Sequence, residues 1–180
     1  IIVEPHALYT CSPPLLTEAK KLADEFNAPL GIHLLENKAE RAQLQDKFDK
    51  GAVLFLKEIG FLDERFIAFH CVCLSEEDIN LFAANNCKVV HNPASNMKLA
   101  SGIAPVPDMI KGGVTVGLGT DGCASNNNLD MIKDMSLAAK LHKVARLDPT
   151  VMDAQTVVRM ATIEGVKVLG MEKITGSLEV

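Results

Sequence analysis

Pro29-Leu30-Gly31-Ile32-His33-Leu34-Leu35-Glu36-Asn37 is an apolar run that ends on a histidine and, three residues later, a carboxylate. A short apolar run bounded by turn residues predicts a buried strand whose last residues emerge where a ligand can sit. A polar pair at such a place costs free energy unless something uses it. On this pattern His33 holds a metal ion and Glu36 moves a proton, and the rest of the chain has to supply their partners.

The same pattern recurs along the chain. Ile1-Ile2-Val3-Glu4 leads into Pro5-His6, Phe66-Ile67-Ala68-Phe69 into His70, Cys87-Lys88-Val89-Val90 into His91, and Val114 to Thr120 into Asp121. The glycines of that last run allow close approach of neighbouring backbone. These polar residues are separated by 27, 37, 21 and 30 residues, each gap suiting one βα unit. Helical patterns fill the gaps. Ser12-Pro13-Pro14 is an N-cap with proline at the first helical position, followed by Leu15, Leu16, Ala19, Leu22, Ala23 and Phe26. Further helices are expected over 38–48, 52–59, from Ser75 to about Asn85, over 107–111, along Leu129, Ile132, Met135, Leu137, Ala138 and Leu141, and over 153–169. Asp78, shorter than glutamate, makes the Ser75 capping box imperfect. The loop from Asn92 to Pro107 is long enough to be functional.

Strands alternating with helices predict a parallel sheet, and polar groups at strand C-termini are what the active face of a βα barrel requires. A doubly wound sheet is the alternative. A complete barrel has eight units in about 250 residues. Five units in 180 residues therefore predict an α/β chain forming the C-terminal part of a (β/α)8 barrel that begins inside a strand, with the N-terminal strands elsewhere.

The composition, 48% hydrophobic, fits one ordinary domain or a piece of a larger one. With a net charge of -5 and lysine and arginine scattered among acids, there is no basic stripe to neutralise phosphates, so nucleic acid is not an expected partner. No apolar run reaches the roughly 18 residues of a membrane span, and no signal-peptide pattern opens the chain, so a cytoplasmic protein without membrane partners is expected. A homo-oligomer is compatible with this composition. Five cysteines, an odd number, favour reduced thiols, and Cys71-x-Cys73 is read as core filling rather than a metal site.

Five ordered motifs carry a resemblance: Pro-His-Ala-Leu-Tyr-Thr-Cys-Ser at 5–12, His-Leu-Leu-Glu at 33–36, Phe-His-Cys-Val at 69–72, His-Asn-Pro-Ala-Ser-Asn-Met-Lys-Leu-Ala-Ser-Gly at 91–102, and Gly-Leu-Gly-Thr-Asp-Gly at 117–122. Together they resemble the amidohydrolase superfamily, in its 5-methylthioadenosine/S-adenosylhomocysteine deaminase branch, beside the triazine chlorohydrolases. The resemblance implies a TIM-like barrel of the metal-dependent hydrolase type. It implies zinc-dependent hydrolytic deamination of adenosine-like substrates to the inosine analogue and ammonia, with Fe2+ as an alternative ion. It places the metal on His33 and Asp121, substrate contact on His6, Glu36 and Asp121, and catalysis on Glu36, His70 and Asp121. The family also uses a His-x-His pair, which residues 1–180 lack. By the same resemblance residues 1–170 belong to the barrel and 171–180 start the return to a small β-domain. Cys73, Asn37 and Cys123 depart from the residues frequent in such enzymes and leave substrate preference open. The rivals are a triazine hydrolase or guanine deaminase and, in another class, a non-catalytic fragment or binding module.

Plainer roles are expected elsewhere. His91, followed by Asn92-Pro93, is as well suited to holding the loop as to touching substrate. His142 between Lys140 and Lys143 is read as a solvated surface residue, Asn126-Asn127-Asn128 as a turn and cap for the next helix, and Met131, Met135, Met152 and Met160 as core. Glu36 has a competing role as a helix-start charge before residues 38–48.

Overall fold

The computed structural model describes residues 1–179. Four strands, β1 (Leu30–Leu34), β2 (Phe66–His70), β3 (Lys88–His91) and β4 (Thr115–Leu118), pair in parallel in the order β1-β2-β3-β4. A doubly wound sheet reverses its strand order at a switch point, whereas this order follows the chain. Helices lie between successive strands, so the sheet is an arc of a (β/α)8 barrel. They are α1 (Pro13–Glu25) before β1, α2 (Lys38–Lys47) and α3 (Ala52–Glu58) before β2, α4 (Glu76–Ala84) before β3, and α5 (Pro93–Lys98) and α6 (Val106–Lys111) before β4. After β4 come α7 (Cys123–Asn126), α8 (Met131–Arg146), α9 (Ala154–Ala161) and α10 (Ile163–Val168).

The fifth expected strand is reduced to two bridges, Val3 to Leu30 and Ala7 to His33. Four residues separate the bridges on the first segment and three on β1, so the first segment carries a bulge. Pro5 is the physical reason. The Val3 N–H donates to the Pro29 carbonyl and the Gly31 N–H to the Val3 carbonyl, but the next donor in the ladder falls on Pro5, which has no N–H. The chain therefore slips, and the His33 N–H finds the His6 carbonyl at 3.0 Å.

Several helices differ from the sequence pattern. The capping box of α4 is complete despite Asp78: Ser75 Oγ accepts from the Asp78 N–H at 3.2 Å and Asp78 Oδ2 from the Ser75 N–H at 2.9 Å. The expected helix over 153–169 is broken at Thr162 into α9 and α10. A β-carbon on Gly117 would lie 3.1 Å from the Gly165 Cα, so α10 is seated on β4 through a glycine-to-glycine approach. Leu129 before α8 and Ile132 in its first turn are exposed, and the buried face of the helix is Asp134, Ala138 and His142, one residue per turn. The next helix is capped by Asp130, not by Asn126, Asn127 or Asn128.

Phe61, Phe66 and Phe82 meet edge to face at 5.9 Å at the centre of the core under β2. Met152 and Met160 are buried and Met131 and Met135 pack against the core. Cys71 is buried, and burial pushes its thiol well above the ordinary range, as suits a core residue. No strand forms over 171–179, and the expected return to a β-domain extends to Val180, outside the described residues. Among the described residues no helix is long and apolar enough to cross a membrane.

Candidate active site at the strand ends

Because the strands are parallel, their last residues collect on one edge of the sheet, and four of the expected site residues form a row there. The rings of His6 and His33 have centroids 5.2 Å apart, those of His33 and His70 are stacked at 5.5 Å, and His70 Nε2 lies 4.0 Å from Asp121 Oδ2. The backbone is left-handed at three of the turns leaving the strands, with φ of 50° at Leu35, 67° at His70 and 60° at Asp121. Residues with a side chain are strained in that region, and such strain gathers where a site holds them.

His33 is held through one ring nitrogen. Its Nδ1 lies 2.8 Å from the His6 carbonyl, and a carbonyl only accepts, so Nδ1 carries the proton and Nε2 keeps its lone pair. This is the tautomer of a metal-ligating histidine whose outer nitrogen is anchored. The Pro5 bulge creates the arrangement, since it puts the His6 carbonyl against both the backbone N–H and the ring of His33. His6 itself is exposed, with Nδ1 2.8 Å from Thr10 Oγ1.

Asp121 is anchored at both oxygens. Oδ2 accepts from Ser95 Oγ at 2.6 Å and Ser125 Oγ at 2.7 Å, and Oδ1 from the Gly122 N–H at 2.7 Å. Partial burial works to raise its pKa, but these three donors outweigh it and hold the carboxyl below the usual range. His70, nearly inaccessible, donates from Nδ1 to Asn96 Oδ1 at 2.8 Å, which turns Nε2 to Asp121.

Glu36, just beyond the end of β1, is half-buried. It lines a cleft of about 740 Å³ with Asn37, Lys38, Ala39 and residues 99–102, and accepts a hydrogen bond from Ser101 Oγ at 3.3 Å. The cap of α2 is Asn37, which accepts from the Glu40 N–H at 2.9 Å.

Ser95 and Asn96, both fully buried, escaped the strand-end pattern. They lie on α5, a one-and-a-half-turn helix inside the expected loop of 92–107, and hold Asp121 and His70 respectively. Two small polar residues shortly after a strand-terminal histidine were their only signal. His142 is not a surface residue. It is 1% exposed, and its Nε2 lies 3.2 Å from His91 Nε2, so β3 is tied to α8 by a buried imidazole pair. Burial, followed by the charges of His142 and His70, lowers His91 to about 3, and burial, followed by the charge of Arg146, lowers His142 to about 4, so both are neutral near pH 7. Asn126 is likewise buried rather than capping: Nδ2 donates to the Thr120 carbonyl at 2.6 Å and to Asp134 Oδ2 at 3.1 Å, bracing the turn that carries Asp121.

The donor set is partial. Among the described residues no group of three or more histidine, cysteine, aspartate or glutamate side chains is placed to hold a metal ion. The two residues expected as ligands nevertheless fit the role: His33 is anchored through Nδ1, so that its neutral ring offers the Nε2 lone pair, and Asp121 is an ionised carboxylate whose oxygens are fixed by hydrogen bonds.

A barrel arc that lines up histidines and an aspartate at its strand ends defines the metal-dependent hydrolase class. Within that class the chain belongs to the amidohydrolase family, with the match running over residues 1–180. A 5-methylthioadenosine/S-adenosylhomocysteine deaminase from Syntrophus aciditrophicus (strain SB) is 62% identical over 179 residues, which is 99% of this chain and 40% of that protein. Among solved structures, an adenosine deaminase from Xanthomonas campestris with bound zinc superposes with a TM-score of 0.95 at 38% identity, covering 98% of this chain and 40% of that one. An atrazine chlorohydrolase from Arthrobacter aurescens TC1 complexed with zinc superposes with a TM-score of 0.91 at 27% identity, over 98% and 39% of the two chains. The chain spans about 40% of the length of the curated relatives it matches.

Proposed function

We propose that this chain provides the C-terminal active-site arc of a zinc-dependent deaminase acting on adenosine-like thioethers, 5-methylthioadenosine and S-adenosylhomocysteine. The observation that carries this reading is the row His6, His33, His70 and Asp121 at the strand ends, with His33 locked in the ligating tautomer. The name of the 62% identical relative supports the substrate class. In this reading residues 1–170 are barrel, residues 171–180 start a return to a small β-domain, and a His-x-His strand outside residues 1–180 completes the metal set.

His33 through Nε2 and Asp121 through its carboxylate would hold the ion. Zinc, when bound, supplies hydroxide at neutral pH by lowering the pKa of water to about 7. Asp121 takes a proton from the attacking oxygen and later passes it to the departing ammonia. Glu36, protonated when it acts, delivers its proton to the ring nitrogen beside the amino-bearing carbon, so that negative charge need not build up there. His70, pinned by Asn96, orients the attacking oxygen through Nε2. His6, exposed beside His33, is placed to contact substrate.

The test is loss of adenine absorbance when S-adenosylhomocysteine or methylthioadenosine is added to the complete zinc-loaded protein, with metal content measured on the same sample. Turnover of a triazine or of guanine in its place would move the assignment to those hydrolases. A complete protein that binds no divalent ion would favour a binding module.

A further inference from the structure

Glu40 is the third residue of α2 and is only 5% exposed. Buried carboxylates are rare unless paired, and among the described residues no lysine or arginine forms an ion pair with this one. Its partners are two backbone amides. Oε1 accepts from the Leu35 N–H at 2.9 Å, and Oε2 accepts from the Glu36 N–H at 2.7 Å.

That pairing is unusual for a residue at this helical position. In an ordinary capping box the side chain at the third position returns to the N–H of the cap residue itself. Here the cap is Asn37, and Glu40 reaches past it to the two residues before it. Asn37 completes the exchange by accepting from the Glu40 N–H at 2.9 Å. The two amides held by Glu40 belong to the peptide planes on either side of Leu35, whose φ of 50° makes the turn from β1 to α2. Fixing both planes fixes the φ and ψ of Leu35, and with them the place of the Glu36 Cα. Burial pushes the Glu40 pKa up, and the bonds to the Glu36 and Leu35 amides oppose that push.

We propose that Glu40 is a positioning residue for Glu36: its carboxylate clamps the left-handed turn at Leu35 and so sets where the Glu36 carboxyl stands beside the strand ends. The clamp stands on its own geometry, while its catalytic consequence rests on the deaminase reading above. Helix stability alone does not require this reach, because Asn37 already caps α2.

Glu40→Gln tests it in the complete zinc-loaded enzyme. Glutamine keeps the shape but replaces one of the two acceptors by an NH2 group, which then faces a backbone N–H. The expected result is a fall in kcat of about 10- to 100-fold with KM within about twofold and zinc content unchanged. Hydrogen exchange, read without substrate, should show the Leu35 and Glu36 amides exchanging at least about tenfold faster while the Ala68 amide of β2 is unchanged. Glu40→Asp, which keeps the charge and shortens the reach, should behave like Glu40→Gln and serves if that variant does not fold. Unchanged exchange at Leu35 and Glu36 would overturn the clamp. Faster exchange with wild-type kcat would overturn the positioning role, as would wild-type kcat in Glu40→Asp. A wild-type enzyme silent on both thioethers would overturn the deaminase reading and the catalytic consequence with it, and the exchange result would still decide the clamp.

Discussion

At the scale of single residues the site is set by what the outer atoms of its groups are doing. His33 could ligate through either nitrogen, and the His6 carbonyl at Nδ1 decides for Nε2. Asp121 could rotate, and Ser95, Ser125 and the Gly122 N–H prevent it. Glu36→Gln in the complete protein should therefore abolish deamination and leave the metal in place, because glutamine cannot deliver the proton and Glu36 is not among the proposed ligands. Near-wild-type turnover would sink the role given to Glu36. Ser95→Ala removes one of two hydroxyls from Asp121 Oδ2, and the affinity for zinc should fall about 10- to 100-fold in competition with a chelator. An unchanged affinity would show that Ser125 and Gly122 suffice. His33, His70 and Asp121 were legible because each ends an apolar run. Ser95 and Asn96 were not, because small polar residues after a proline look the same whether they face water or a buried carboxylate.

At the scale of elements, the join between β3 and α8 is made by His91 and His142. The flanking lysines hid this, since residues 140 and 143 lie on other sides of the helix from the stripe Asp134, Ala138 and His142. The pair gives the fold a pH dependence whose sign can be worked out. Folded His91 and His142 stay neutral down to about 3 and about 4, whereas in the unfolded chain both take up protons below the ordinary value of 6.5. The unfolded state thus binds more protons as the pH falls below 6.5, so the stability from this pair is full above that pH and is lost progressively on acidification. For His142 the loss between pH 6.5 and 4 is on the order of 3 kcal/mol. Melting temperature should drop from pH 7 to pH 5, and drop less in His142→Gln; an equal drop in both would show that other groups dominate. The bulge at Pro5 is the second element-scale device, because a missing N–H shifts the ladder by one residue and brings the His6 carbonyl to His33.

At the scale of the whole molecule, residues 1–180 hold an arc of strands with two of the proposed ligands, and the relatives are longer. A divalent site with two protein donors binds weakly beside one with four. Residues 1–180 expressed alone should retain less than about a tenth of the zinc per chain found in the complete protein after dialysis. Stoichiometric zinc on the isolated segment would mean that this chain needs no His-x-His strand.

The alternation of strands and helices and the strand-end polar residues were determined by local information: apolar runs of strand length, helical periodicity between them, and a histidine or aspartate at the end of each run. Those features depend on neighbours in sequence, where hydrophobic period and chain reach act. The tertiary structure alone decided which nitrogen of His33 is free, that Ser95 and Asn96 brace Asp121 and His70, that His142 is buried against His91, and that Glu40 reaches back to the turn before Glu36. Most of these contacts join residues far apart in sequence, and the others depend on the direction of a single buried side chain. A buried polar group is specified by the partner that satisfies it, and that partner is known only once the chain is packed.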